Sequence, residues 1–134
     1  MKAAPADLWA RALRALQTAQ LTLTADPDAA ASRAYYAAFY GVSALFALEG
    51  KTFTKHAAVE SAVHRDLVKT GRWPVERGKE YSLLFELRST GDYGGAEHVS
   101  DEEAREALAA ARRIFQAVHD ARPQDFPKPE EPLL

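Results

Sequence analysis

The segment Ala29–Glu49 constrains this chain more than any other. Wound as a helix, it is apolar around nearly its whole circumference, and such a rod is stable in water only when other helices enclose it. Ala34, Ala37, Ala38, Gly41 and Ala44 keep it slim, so neighbours can approach closely, while Phe39, Leu45, Phe46 and Leu48 fill the space between. Its most apolar part, Ala34 to Leu48, is about fifteen residues long and is interrupted by Ser43; a membrane span needs roughly 20. The segment therefore reads as the central helix of a core. Gly41 costs about 1 kcal/mol of helix propensity relative to Ala, a cost that a close helix–helix approach would explain.

Four further helical segments can enclose it, and no stretch alternates like a strand. The first runs from Pro5 to Ala25, with Trp9, Leu13, Leu16 and Leu23 on one face. Pro5 suits the first turn, and Asp7 complements the positive end of the dipole. Asp26-Pro27-Asp28 then breaks the chain and offers Asp26 or Asp28 as the next N-cap. Gly50 is a good terminator for the central helix. A third helix is expected over Lys55–Thr70, capped by Thr54, with His56, Val59, Val63 and Leu67 on one face. After Gly71-Arg72-Trp73-Pro74, a fourth runs from Val75 or Glu76 to Asp92, with Tyr81, Leu84, Phe85 and Arg88 on or near one face. Ser100 and Glu103 form a capping-box pair for the fifth, in which Ala104, Leu108, Ala111, Phe115 and Val118 repeat as a packing seam.

Short loops between long helices favour antiparallel neighbours. The expected fold is all-α: an up-and-down antiparallel four-helix bundle with a fifth helix. The 134 residues suit one domain, residues 1–122, followed by a Pro-rich tail, residues 123–134, that is extended or disordered.

Composition narrows the chemistry. With no Cys, the chain has no disulfide, thiolate metal site or Cys nucleophile. The four histidines (His56, His64, His98, His119) show no metal-ligand spacing, so no metal and no cofactor is expected. His56 reads as a residue that packs or hydrogen-bonds locally. No phosphate-binding glycine loop, nucleophile elbow or secretory leader is visible, and a cytoplasmic protein without membrane attachment is the expectation. The net charge of −2 provides no global field for nucleic acid, but residues 51–79 hold seven basic groups against three acidic ones. That segment reads as either a solvated basic face or a patch for RNA or an acidic partner.

One polar stripe crosses the apolar helix. Arg33, Tyr36, Tyr40 and Ser43 stand at i, i+3, i+7 and i+10, on one face. Buried guanidinium and phenol groups need partners. The fourth helix can supply them through Arg88 and Asp92, four residues apart on one face. The stripe is either an anion-binding cleft built on Arg33 and Arg88 or an internal network that sets helix register.

Several segments, in order, resemble one family. They are Ser32-Arg33-Ala34-Tyr35-Tyr36-Ala37-Ala38-Phe39-Tyr40, then Lys55-His56-Ala57-Ala58-Val59, then Val68-Lys69-Thr70-Gly71. Leu84-Phe85-Glu86-Leu87-Arg88-Ser89-Thr90-Gly91-Asp92-Tyr93-Gly94 follows, and last come Ser100-Asp101-Glu102-Glu103-Ala104 and Ala110-Ala111-Arg112. Together they resemble the HEPN family (higher eukaryotes and prokaryotes nucleotide-binding), in its small UPF0332 branch. The resemblance implies a helical bundle, commonly a homodimer, working beside a minimal nucleotidyltransferase in toxin–antitoxin-like pairs. In the active branch it implies a metal-independent ribonuclease, with Arg stabilising charge and a downstream His moving protons. Arg88 matches that Arg, but Asp92 stands where the His would be, followed by Tyr93, and His98 lies too far on. Beside Arg88, Asp92 is expected to stay ionised and to make a poor general acid. Tyr93 matches the tyrosine that partner nucleotidyltransferases modify in some members.

Three functions follow as expectations. The first is a homodimeric binding and regulatory module, partnered by a nucleotidyltransferase, whose cleft of Arg33, Tyr36, Tyr40 and Arg88 takes a nucleotide or RNA. The second is a ribonuclease using Arg88, Asp92 and Tyr93 in altered roles. The third is a plain helical interaction protein.

Overall fold

Proline and aspartate set the first two helix starts. In the computed structural model, which describes residues 4–128, α1 spans Pro5–Thr22 and α2 spans Pro27–Leu48, each with a proline in its first turn. Asp26 caps α2 by accepting from the Ala29 N–H at 3.1 Å. Asp28, the other candidate, serves a different end: it accepts from the Val99 N–H at 2.7 Å and contacts His98 at 2.7 Å, tying the start of α2 to the loop before α5. At its far end α2 closes with a left-handed Gly50 (φ +82°). There Lys51 N–H returns to the Phe46 carbonyl at 2.8 Å and Gly50 N–H to Ala47 at 3.1 Å, the two-bond stop that glycine makes easy.

The third helix differs from the expectation of one smooth rod. Regular α3 covers only His56–Ala62, with Lys55 rather than Thr54 at the cap position and no side-chain cap. It runs into a wider turn, Val63–Val68, in which Lys69 N–H bonds back five residues to His64 at 2.9 Å. Gly78 faces this turn: a Cβ there would lie 2.8 Å from Val68 Cγ2. α4 spans Val75–Tyr93, and α5 spans Asp101–Ala121 behind the expected Ser100/Glu103 capping box.

Helix α2 is the hub: α1, α4 and α5 all pack on it, and the short α3 sits more lightly against α2 and α4. The chain directions follow from the contacts. Gly91 near the end of α4 abuts Asp28 at the start of α2, and Trp9 of α1 meets Gly41 of α2, so both neighbours run antiparallel to the hub. The core holds Leu16, Tyr35, Val42, Leu45, Phe46, Tyr81, Leu84 and Ile114, all essentially without exposure. The whole expected α5 seam, Ala104 to Val118, is buried with them. No described residue lies in a strand, and no helix among them is long and apolar enough to cross a membrane.

Packing continues past residue 122, beyond the boundary expected from sequence. Phe126 is fully buried beside Trp9, with ring centroids 5.2 Å apart. Trp9 Nε1 donates to the Pro127 carbonyl at 2.8 Å, and His119 Nδ1 donates to that of Phe126 at 2.7 Å. An aromatic that can insert into the core outweighs the proline content around it. The rest of the expected tail, residues 129–134, lies outside the described residues.

Two glycines predict opposite outcomes. A Cβ on Gly41 would meet Trp9, Val118 and Ala12 at 3.8–4.0 Å, ordinary contact, so the expected tight approach is absent there. On Gly91 it would sit 2.7 Å from the Asp28 carbonyl oxygen, where only backbone could yield. Gly41→Ala is expected to be neutral or stabilising by up to about 1 kcal/mol, and Gly91→Ala to destabilise by about 1–3 kcal/mol. Urea midpoints of the two variants check both signs.

Candidate functional site

The polar stripe of α2 meets the polar end of α4. Their antiparallel packing puts Arg88 opposite Tyr36, and Arg88 Nη2 donates to the Tyr36 hydroxyl at 2.9 Å. Arg33, one turn back along α2, lays its guanidinium over the Tyr36 ring, 4.6 Å from the centroid. The Arg88 guanidinium also lies 5.7 Å from the Tyr35 ring and 5.3 Å from that of Tyr93. Cations over aromatic faces gain from the ring quadrupole, more so where water is scarce.

Arg88 is held on a second side by Asp92, with Nε 3.0 Å from the carboxylate. The ion pair is a matter of proximity: the buried Nε–H has no well-aligned acceptor. Burial works against the Arg88 charge, but the Tyr36 hydrogen bond and the neighbouring Tyr93 and Asp92 outweigh it, and its pKa lies above the ordinary value. Arg33, Tyr36, Arg88, Asp92 and Tyr93 therefore come together. Tyr40 joins only through its ring, 5.8 Å from that of Tyr36, with Arg11 at 5.9 Å on it.

Sequence reasoning missed two members. His56 does not bond locally: its Nδ1 lies 2.7 Å from the Tyr35 hydroxyl, twenty-one residues away in the chain. Its ring stacks on Phe39 at 4.4 Å and lies 5.7 Å from Tyr36. The second is Tyr35, which is fully buried in the core. Burial pushes its phenol up to about 12, against smaller opposing effects of Tyr81 and Arg88. Burial also lowers the pKa of His56, and the Arg88 charge adds to that. An imidazole thus stands in the Arg88 cleft, though not from the position downstream of Arg88. His98 is taken up by Asp28 instead.

The basic segment is less free than its composition suggests. Arg72 binds Glu49, Lys51 and Arg65 both meet Asp66, and Arg77 binds Glu80. Exposed pairs of this kind contribute little stability, but they mask positive charge. Among the described residues, no three His, Asp or Glu side chains gather as a metal site would require.

The fold and site define a class: a small all-helical domain with an arginine held between two antiparallel helices. Comparison with known proteins names the family. The HEPN domain model matches residues 6–121, and the chain belongs to the HEPN domain family. It is 39% identical over 114 residues to a UPF0332 protein of Thermotoga maritima, covering 84% of this chain and 86% of that one. It is 34% identical over 114 residues to a UPF0332 protein of Gloeobacter violaceus, covering 82% and 89%. A Methanocaldococcus jannaschii protein named "Putative toxin" is 32% identical over 81 residues, covering 60% of this chain and 55% of that one.

The His56 environment has a measurable consequence. With its folded pKa below the ordinary histidine value of about 6.5, the unfolded chain binds a proton that the folded one refuses. Stability therefore rises with pH between the two values and falls as the medium is acidified below about 6.5. An NMR titration should place His56 below the free-histidine range, and His56→Gln should flatten this part of the stability profile.

Proposed function

We propose that this chain is a homodimeric HEPN binding and regulatory module, one half of a toxin–antitoxin-like pair with a minimal nucleotidyltransferase. Its Arg88 cleft takes the phosphate of a nucleotide or RNA. The observation that carries this reading is the Arg88 guanidinium itself. It is held by Tyr36 and Asp92 within reach of a second cation, Arg33. Two guanidinium groups fixed beside aromatic faces suit a phosphate flanked by a base, since they offer charge-assisted hydrogen bonds and stacking together. Tyr93 supports the regulatory part. It is 73% exposed at the end of α4, next to Arg88, where an incoming nucleotidyl group could reach its hydroxyl.

A second reading, a metal-independent ribonuclease, is favoured by His56, an imidazole within the same cleft as Arg88. The toxin name carried by the Methanocaldococcus relative points the same way.

Arg88→Ala decides among these. On the binding reading it lowers affinity for a nucleotide or short RNA by about 10–100-fold, the scale of a lost charge-assisted hydrogen bond, while helical content persists. On the ribonuclease reading it abolishes RNA cleavage that the unaltered protein performs. If only the melting temperature changes, the cleft is a register device and the proposal fails. Size-exclusion chromatography with light scattering tests the homodimer.

A further inference from the structure

A buried hydroxyl meets a half-buried imidazole beside Arg88: the Tyr35 hydroxyl lies 2.7 Å from His56 Nδ1. The neighbouring Tyr81 hydroxyl is buried with no hydrogen-bond partner among the described residues. The buried Tyr35 hydroxyl has one proton to place, and His56 Nδ1 is the acceptor within hydrogen-bond distance. A neutral imidazole that accepts at Nδ1 carries its own proton on Nε2. Among the described residues no hydrogen bond engages His56 Nε2, and none engages Arg88 Nη1.

We propose that His56 is a phosphate-binding residue of the Arg88 cleft. It presents an uncharged Nε2–H donor whose tautomer is set by the Tyr35 hydroxyl at Nδ1. This rests on the reading of the Arg88 cleft as an anion site and adds a residue to it. The ligand class is a phosphoryl oxygen, from the terminal phosphate of a mononucleotide or from an RNA phosphodiester. Arg88 and Arg33 supply charge, and His56 supplies direction. A protonated His56 would set its Nδ1–H against the Tyr35 proton and place a third cation beside Arg88. A lowered pKa fits that penalty. In this tautomer Nε2 cannot accept a proton, so His56 binds rather than acting as a general base.

The test is NMR of the full chain labelled at histidine and arginine nitrogens. In the ligand-free protein the His56 shifts should report a proton on Nε2 and a bare Nδ1, and Tyr35→Phe should erase that preference. A proton on Nδ1 instead overturns the proposal and favours a base at Nε2. Inorganic phosphate, AMP and the dinucleotide ApA are then titrated, with adenosine as control. Phosphate and AMP should move the His56 Nε2–H and Arg88 signals together, and adenosine should not. Tighter binding of AMP than ApA assigns a terminal phosphate; the reverse assigns an internal one.

His56→Leu should weaken binding about tenfold or more, and His56→Gln, which keeps an N–H donor, should retain most of it. Unchanged binding in His56→Leu overturns the role of His56. If phosphate moves Arg88 but not His56, this inference fails while the anion cleft stands. If phosphate moves neither, the cleft reading fails and takes this inference with it.

Discussion

Helix α2 has almost no face to give to water, and the rest of the molecule is arranged around that fact. Its alanines let α1, α4 and α5 all pack on one rod. The exception is the strip bearing Arg33, Tyr36 and Tyr40, whose residues are only partly buried. A guanidinium or phenol caught in such packing must find partners or destabilise the bundle. α4 supplies them because it runs antiparallel to α2, so its polar C-terminal end lies along the polar N-terminal half of the hub. The apolar hub and the polar cleft are thus two outcomes of one arrangement.

The surroundings of Arg88 join two helices yet leave its charge only partly offset. The Arg88–Tyr36 bond joins two helices, as a register device would. Yet Arg88 Nε–H lacks an aligned acceptor, and Arg33 brings a second cation to a site already holding one. A network that served packing alone would gain from neutralising this excess charge, since unpaired buried charge is costly. Asp92 offsets part of it, through an ion pair with imperfect direction. The imidazole the cleft does contain, His56, comes from another helix and is held neutral by its surroundings. These features favour recognition of an anion over turnover of one.

Helical elements and the residues facing the core were legible from periodicity alone. The α5 seam is buried as its spacing implied, and Arg88 meets Tyr36 as the two stripes implied. Three features were not legible. The wide turn at Val63–Val68 has no signature in residue type, and its close contact with α4 at Gly78 joins segments that no local spacing relates. Phe126 was assigned to a tail because prolines surround it, and nothing in the chain says that Trp9 leaves it a place. His56 joined the cleft from beyond a loop, and no spacing rule relates it to Tyr35 or Arg88.

By itself, the sequence determined the all-helical class, the central place of α2, the pairing of its polar stripe with α4 and the family. Each of these rests on local periodicity or on residue order, which a linear chain carries in full. Tertiary structure alone decided that the Tyr35 hydroxyl meets His56 and that Gly41 is not a point of tight approach. It also decided that the chain beyond α5 folds back over Trp9. Such facts depend on distances between segments far apart in the chain. Those distances are set only when the helices settle against one another and every buried polar group has sought a partner.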